Sequence, residues 1–146
     1  MFLKTTEYAL RAVIFIAQKS SEEKKLGLVE IAKAIDSPQS FTAKILQQLT
    51  TNHNIISSAR GPNGGFYISE KSKNLPVYSI LKAMGEDEIF KKCVLGLKLC
   101  SETKPCPMHA HYKLIKQQLI KLFETKTIQH LADEITTGNS FIGNKK

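Results

Sequence analysis

The sequence predicts a mainly α-helical protein with a small β-hairpin wing: a winged helix-turn-helix domain followed by a long dimerisation helix. Two short amphipathic helices flank the tight turn Asp36-Ser37-Pro38, a glycine-rich hairpin follows them, and an apolar seam runs through residues 108–122. Two helices joined by such a turn form a helix-turn-helix, and a hairpin directly after one is the arrangement of a wing. We divide the chain into a DNA-binding domain (1–84), a cysteine-bearing loop (85–107), a dimerisation helix with a short terminal helix (108–135) and a flexible tail (136–146).

Composition favours a polyanionic partner. The 146 residues include 21 Lys+Arg against 13 Asp+Glu, a formal net charge of +8. A basic balance in a small protein favours nucleic acid, and a generally basic, solvated surface is the alternative. No segment approaches the apolar length of a membrane span, and the N-terminus lacks the pattern of a signal peptide. We therefore expect a cytoplasmic protein without a membrane partner.

Apolar spacing predicts the first two helices. The first helix is expected to start at Thr5-Thr6-Glu7, with a threonine cap, and to end near residues 19–21. The second helix is predicted from apolar residues at i, i+3, i+4 and i+7, namely Leu28, Ile31, Ala32 and Ile35. Residues 22–25 are expected to form a charged loop between them.

The third helix is the candidate recognition helix. Ser37 is a natural N-cap and Pro38 suits the first helical position. Its apolar face is predicted to carry Phe41, Ile45, Leu46 and Leu49. Residues near the start of a recognition helix meet base edges in the major groove. The expected DNA contacts on this helix are Pro38, Gln39, Ser40, Thr42 and Lys44. An ordinary polar helix face is the alternative.

A hairpin is predicted from two apolar segments, 55–59 and 66–68, joined by the turn Arg60-Gly61-Pro62-Asn63-Gly64-Gly65. An arginine at the tip of a glycine-rich turn can enter a narrow, electronegative minor groove. We expect Arg60, Gly61 and Asn63 to contact DNA. A phosphate-binding loop is the other interpretation, but no Gly-Lys-Ser/Thr ending follows and no helix opens directly after the glycines.

The C-terminal half is predicted to be helical apart from the cysteine segment. A polar connector (71–76) leads to a fourth helix that ends at Gly85. After Pro107, apolar residues alternate at spacings of four and three, as in a coiled coil. The residues expected to form a dimer interface are Tyr112, Ile115, Leu119 and Leu122. A core helix of a monomer is the alternative. Thr127 is expected to cap a last helix, 128–135.

All the cysteines lie in one short segment. Cys93, Cys100 and Cys106 are the three cysteines of the chain, and His109 follows the last of them at i+3. An odd number of cysteines fits a disulfide framework poorly. Three interpretations remain open at this point: an iron–sulfur cluster on these four residues, a Cys3His zinc site on the same residues, or metal-free thiols that act as sensors or are inert.

Several motifs together resemble the Rrf-type winged helix-turn-helix transcriptional regulators (IscR/NsrR/RirA/CymR-like). They are Tyr8-Ala9-Leu10-Arg11-Ala12, Glu30-Ile31-Ala32, Arg60-Gly61-Pro62-Asn63-Gly64-Gly65-Phe66 and the three-cysteine loop. The resemblance extends to about residue 135. It implies a homodimer on a roughly palindromic double-stranded DNA operator, typically as a repressor, with the recognition helix in the major groove and Arg60 in the minor groove.

The resemblance also implies a cofactor. Cluster-bearing members hold a [2Fe–2S] or [4Fe–4S] cluster on three loop cysteines, and in the IscR type a histidine at i+3 is the fourth ligand. His109 matches that position, which favours [2Fe–2S]. NsrR-like members use a carboxylate from the partner's first helix, for which Glu7 is the nearest candidate. Six residues separate Cys93 from Cys100, one more than in the IscR type, and this difference bears on the cluster type.

The sequence therefore predicts a DNA-binding regulator that senses iron–sulfur, redox or nitric oxide status through the cysteine loop. One rival is a cofactor-free winged-helix repressor controlled by a partner protein or by thiol chemistry. The other is a small redox or thiol protein. The second rival has little support, because the chain has no Cys-x-x-Cys pair and no general-base constellation, and we expect no enzyme activity.

Overall fold

The computed structural model describes residues 1–51, 53–138 and 140–143. Within them the chain forms seven α-helices, one 3-10 helix and a two-stranded antiparallel sheet. The elements in order are α1 Lys4–Lys19, α2 Leu28–Ala34, α3 Gln39–Thr51, β1 Ser57–Ala59, β2 Gly65–Tyr67, α4 Glu70–Lys73, α5 Tyr78–Ala83, the 3-10 helix Asp87–Phe90, α6 His109–Thr125 and α7 Ile128–Thr136. The mainly helical architecture with a hairpin confirms the predicted fold class. None of the described helices has the length and apolar character needed to cross a bilayer.

Helix α1 is the centre of the core. Its buried stripe includes Ala12, Val13 and Ile16, and it packs against α2, α3, α5 and α7. The helix ends at Lys19, which confirms the predicted end near residues 19–21. The predicted threonine cap is wrong, because the N-cap position is Leu3 and Thr6 is buried in the core. The Leu3 amide instead donates to Glu86 Oε1 at 2.8 Å, which joins the start of α1 to the segment after α5.

Helices α2 and α3 form the helix-turn-helix, with Asp36 in a left-handed conformation (φ 59°) between them. The buried face of α3 consists of Thr42, Ile45, Leu46 and Leu49. The prediction that Phe41 lies on this face is wrong, since its side chain is 49% exposed. The buried residues are spaced i, i+3, i+4 and i+7 from Thr42, so Phe41 lies about 100° away from the start of the stripe.

The wing is attached to the domain by a third extended segment. In the hairpin, Ser58 pairs with Phe66, and Phe66 also exchanges two backbone hydrogen bonds with Leu26, at 2.9 and 2.7 Å. Leu26 is fully buried, although residues just before it were expected to form only a charged loop. Gly65 has a φ of +145°, and a Cβ there would lie 2.6 Å from the Leu26 carbonyl oxygen. The glycine therefore permits the close backbone approach that fixes the base of the wing.

A short helix, α4, lies where a polar connector was expected. Ser69 caps it, and its hydroxyl accepts a hydrogen bond from the Ser72 amide at 3.1 Å. Helix α5 follows, ending at Ala83 with Gly85 just beyond it in a positive φ of 73°. The predicted end of the fourth helix is therefore confirmed within two residues.

Helices α6 and α7 are the last two helices of the described chain. All seventeen residues of α6 are described, and none of them is buried. Helix α7 packs along α1, and its predicted cap is confirmed, because Thr127 and His130 form a capping box. The flexible tail was predicted for 136–146, but α7 includes Thr136, and residues 139 and 144–146 lie outside the described part. Gly143 approaches the Ala34 carbonyl oxygen, so the described end of the tail lies over α2.

Candidate metal centre and DNA-binding surface

The cysteine loop is fixed at its start by an aromatic cluster. Phe90, at the end of the 3-10 helix, is buried, with its ring centroid 5.9 Å from Tyr78 and 5.7 Å from Phe123 of α6. Phe123 also meets Phe2 edge to face at 5.7 Å. The loop between Phe90 and α6 is therefore held at one end by α5 and α6 together, and at the other end it enters α6 directly.

Three thiols converge inside this loop. The sulfur atoms of Cys93, Cys100 and Cys106 all lie within 4.8 Å of one another. Cys93 Sγ and Cys106 Sγ are 3.6 Å apart, and the Cys106 amide points at Cys100 Sγ at 3.3 Å. Gly96, with a φ of 77°, lets the chain turn back after Cys93. The structure thus brings together three residues that are up to thirteen positions apart in the sequence.

His109 completes the group at one edge. It is the first residue of α6, and its Nδ1 atom lies 3.4 Å from Cys100 Sγ. The opposite ring nitrogen, Nε2, lies 3.2 Å from Glu102 Oε1, and the same oxygen lies 2.7 Å from Lys113 Nζ. The sequence prediction did not include Glu102 or Lys113. Lys113 follows His109 at i+4 on a helix, and that spacing was the available signal.

The surroundings of Cys93 and Cys100 shift the pKa values of these two thiols in opposite directions. The pKa of Cys93 is lowered to about 7, mainly because the Leu97 amide points at its sulfur. Desolvation opposes this effect, and the Leu95 amide adds to the lowering. At Cys100 the Cys106 amide lowers the pKa, but desolvation and the neighbouring sulfurs of Cys106 and Cys93 outweigh it, so the pKa is raised. Close sulfur atoms therefore resist joint ionisation unless a cation compensates them.

The donor set fits a metal centre. A cavity of about 230 Å³ is lined by the three cysteines, His109 and side chains of α6. Thiolate and imidazole donors at this spacing suit iron–sulfur clusters and zinc. The backbone amides that point at Cys93 and Cys100 stabilise negative sulfur. Lys116 Nζ donates to the Lys92 carbonyl oxygen at 3.0 Å and so ties the loop to α6.

A second surface lies on the helix-turn-helix and wing. Four of the predicted residues on and before α3 are exposed, namely Pro38, Gln39, Ser40 and Lys44. The expectation for Thr42 is corrected: its side chain is fully buried, and its hydroxyl donates to the Pro38 carbonyl oxygen at 2.9 Å and contacts the Ser37 hydroxyl. Thr42 is therefore not available to a base. At the wing tip, Arg60, Gly61 and Asn63 are all exposed.

A third feature is the apolar seam of α6. Ile115 is 55% exposed and Leu122 is 48% exposed, while Tyr112 and Leu119 are half-buried. Tyr112 lines the cavity beside the cysteines. Leu114, outside the predicted seam, is 64% exposed. One face of α6 therefore presents large aliphatic side chains without cover from the described part of the same chain.

A helix-turn-helix followed by a backbone-anchored wing is the arrangement of winged-helix DNA-binding domains, and in this chain a loop of convergent thiols comes after it. The chain belongs to the Rrf2 family, described as "Iron-dependent Transcriptional regulator", whose family model matches residues 2–134. It is therefore a DNA-binding transcriptional regulator, and the predicted family is confirmed.

Curated relatives agree with this assignment. A putative HTH-type transcriptional regulator of Aquifex aeolicus is 29% identical over 133 residues, which is 90% of each chain. The HTH-type transcriptional regulator NsrR of Oceanobacillus iheyensis is 25% identical, covering 88% of this chain and 86% of its own. The HTH-type transcriptional regulator IscR of Klebsiella pneumoniae is 24% identical over 86% of this chain and 76% of its own.

Solved structures share the fold. The cysteine regulator CymR of B. subtilis superimposes with a TM-score of 0.74 at 18% identity, covering 91% of this chain and 96% of its own. IscR of T. potens superimposes with a TM-score of 0.71 at 14% identity, covering 96% and 91%. These likenesses confirm the winged-helix architecture.

Proposed function

We propose that this regulator is a homodimer whose affinity for a double-stranded DNA operator depends on an iron–sulfur cluster held by Cys93, Cys100, Cys106 and His109. The observation that carries the proposal is the convergence of three thiols and one imidazole at the first turn of α6. The family description, which names iron, supports it.

The histidine in the donor set favours [2Fe–2S] over [4Fe–4S]. His109 Nδ1 lies 3.4 Å from Cys100 Sγ, beside the three converging sulfurs. Histidine ligands occur on [2Fe–2S] centres of the Rieske type, whereas [4Fe–4S] clusters are typically held by four cysteines. Three sulfurs within 4.8 Å also suit one tetrahedral zinc ion, which is the second candidate for this site.

A bound cluster supplies a signal because it is labile and can exchange an electron. The chain's own residues then relate the loop to the rest of the protein. Lys113 and Lys116 connect α6 to the loop through Glu102 and the Lys92 carbonyl oxygen. Phe90 and Phe123 pack the same loop against α5, which itself contacts α1 and α3. A change in the loop therefore has a packed route to the recognition helix.

The exposed seam of α6 supports the homodimer. Two copies of the chain would cover Ile115 and Leu122 and complete the burial of Tyr112 and Leu119. A dimer places two recognition helices on two half-sites, which must lie about one helical turn apart or a multiple of it. Movement at the base of α6 would change that separation and so the operator affinity.

On the DNA side, we propose that α3 enters the major groove through Gln39, Ser40 and Lys44, with Pro38 at the start of the helix. Gln can pair with adenine through two hydrogen bonds, and Lys can contact guanine or phosphate. Arg60 would reach the minor groove with Gly61 and Asn63 beside it. Contact with chromosomal DNA places the protein in the cytoplasm.

The experiment is a selection of genomic DNA fragments by protein purified without oxygen, followed by affinity measurements on the enriched sequence. Loaded protein and protein stripped with a chelator are compared at one salt concentration, because such affinities depend strongly on salt. We expect at least a tenfold difference between the two forms. Equal affinities would favour a cofactor-free repressor controlled by a partner protein or by thiol chemistry.

A further inference from the structure

We infer that Glu102 is a positioning residue for His109: its carboxylate holds the imidazole so that Nδ1, and not Nε2, faces the thiols. The inference rests on the proposed metal centre, since it concerns how the fourth ligand is presented. Glu102 lies in the loop between Cys100 and Cys106 and takes no part in the set of converging sulfurs.

The contacts assign a role to each ring nitrogen. Nε2 lies 3.2 Å from Glu102 Oε1, and Nδ1 lies 3.4 Å from Cys100 Sγ. A carboxylate is only an acceptor, so Nε2 must carry the proton in this pair. A neutral imidazole has one N–H, which leaves Nδ1 with a free lone pair directed at the sulfur site. A carboxylate partner on the remote nitrogen is the usual way that a protein fixes a ligating histidine.

Glu102 is itself held in place from α6. Lys113 Nζ lies 2.7 Å from the same carboxylate oxygen, one helical turn after His109. The Lys104 amide donates to Ser101 Oγ at 3.2 Å, which closes the turn that carries Glu102. The carboxylate is thus a fixed acceptor.

A role for the Glu102–Lys113 ion pair in stability alone does not account for the contact of Glu102 with His109. The Glu102 side chain is 67% exposed, and exposed ion pairs contribute little to stability. A comparable pair, Glu88 with Lys91 at 3.2 Å, lies at the start of the loop, and Glu88 is not among the residues that line the cavity of the cysteines and His109. What distinguishes Glu102 is that its second contact is the imidazole beside Cys100. Glu88 therefore provides a matched control.

The first test needs no metal. Long-range ¹H–¹⁵N spectra of the metal-free protein near pH 8.5, where an imidazole is ordinarily neutral, report which ring nitrogen carries the proton. The His109→Ala spectrum assigns the His109 signals among the four histidines. We expect the Nε2–H tautomer in the wild type and in Glu88→Ala, and a mixture in Glu102→Ala. An unchanged tautomer in Glu102→Ala would overturn the inference.

The second test uses the loaded protein. The visible band is followed while a chelator removes iron, and loss of a partner of a ligating histidine typically costs 10–100-fold in metal affinity. We expect Glu102→Ala to lose the band at least tenfold faster, Glu102→Gln to retain much of the stability because it keeps an acceptor oxygen, and Glu88→Ala to match the wild type.

A double-mutant cycle decides whether Glu102 acts through His109. In the His109→Ala background, Glu102→Ala should add no further acceleration. An equal acceleration in both backgrounds would overturn the positioning role. The proposed cluster fails separately, if wild-type protein made without oxygen takes up neither iron nor sulfide; in that case the tautomer spectra still decide the role of Glu102.

Discussion

The half-exposed Ile115 gives a quantitative prediction about the proposed dimer. Complete burial of an Ile side chain contributes about 1.5–3 kcal/mol, and 55% of Ile115 remains exposed in the single chain. Covering that remainder is worth about 1 kcal/mol per chain. A twofold interface buries both copies, so Ile115→Ala should weaken the dimer by about 2 kcal/mol, or roughly 30-fold in dissociation constant.

Sedimentation equilibrium over a range of protein concentrations measures this constant. Lys121→Ala is the matched control, because Lys121 lies on the same helix and is exposed outside the apolar seam. Ile115→Glu should be more severe, since two carboxylates would meet in an apolar interface. The thermal unfolding of the monomer should change little in Ile115→Ala. A dissociation constant within twofold of the wild type would refute the assignment of this face to the dimer.

Three further predictions concern the wing and the thiols. Arg60→Ala should weaken operator binding and reduce the magnitude of the slope of log K against log salt by about one, because the variant neutralises one fewer DNA phosphate. Fluorescence anisotropy over a range of salt concentrations measures both changes. Gly65→Ala should weaken operator binding without unfolding the domain, because its Cβ would lie 2.6 Å from the Leu26 carbonyl oxygen. In metal-free protein, alkylation of Cys93 should accelerate as pH rises through about 7, since the thiolate is the nucleophile and the pKa of Cys93 is lowered to about 7; mass spectrometry reports the site.

Lys121→Ala should leave the operator affinity unchanged, and an equal loss in both variants would remove the special role of Arg60. Gly27→Ala is the control for Gly65→Ala, because a Cβ at Gly27 meets no atom within 4 Å and the variant should bind the operator like the wild type. Wild-type operator affinity in Gly65→Ala would contradict the anchored wing. Alkylation of Cys93 that begins only above about pH 8.5, as for an ordinary thiol, would contradict its lowered pKa.

The helices and the wing could be predicted from sequence because their signals are local. Apolar residues at helical spacing placed α2 and α5, and Thr127 marked the start of α7 as an N-cap residue type. The bridge from Leu26 to Phe66 was missed because it joins residues forty positions apart and adds only one paired residue to the sheet. Such pairings leave no periodicity in the sequence.

Two errors on α3 have one cause. Hydrophobicity placed Phe41 in the core and polarity placed Thr42 on the DNA-contacting side, but the structure buries Thr42 fully and leaves Phe41 49% exposed. Helix geometry decides the matter, since Thr42 is in phase with Ile45, Leu46 and Leu49. The threonine hydroxyl is tolerated inside because it bonds to the Pro38 carbonyl oxygen one turn back.

The candidate metal centre could be predicted in part. Thiols and a histidine in one short segment indicate a metal site by residue type alone, and the structure brings their donor atoms together. The contacts of Glu102 could not be predicted, because they depend on how an irregular loop folds back over the first turn of α6. A loop of this kind has no repeating pattern from which side-chain directions follow.

The most direct measurement is the visible spectrum of protein purified without oxygen, with iron, acid-labile sulfide and zinc assayed on the same sample. We expect a coloured protein with broad absorption between roughly 320 and 460 nm and about two irons and two sulfides per chain, as a [2Fe–2S] cluster requires. The Cys100→Ala variant should be folded and should lose the absorption. A colourless wild-type protein with one zinc per chain, or with no metal after reconstitution, would contradict the proposed iron–sulfur centre.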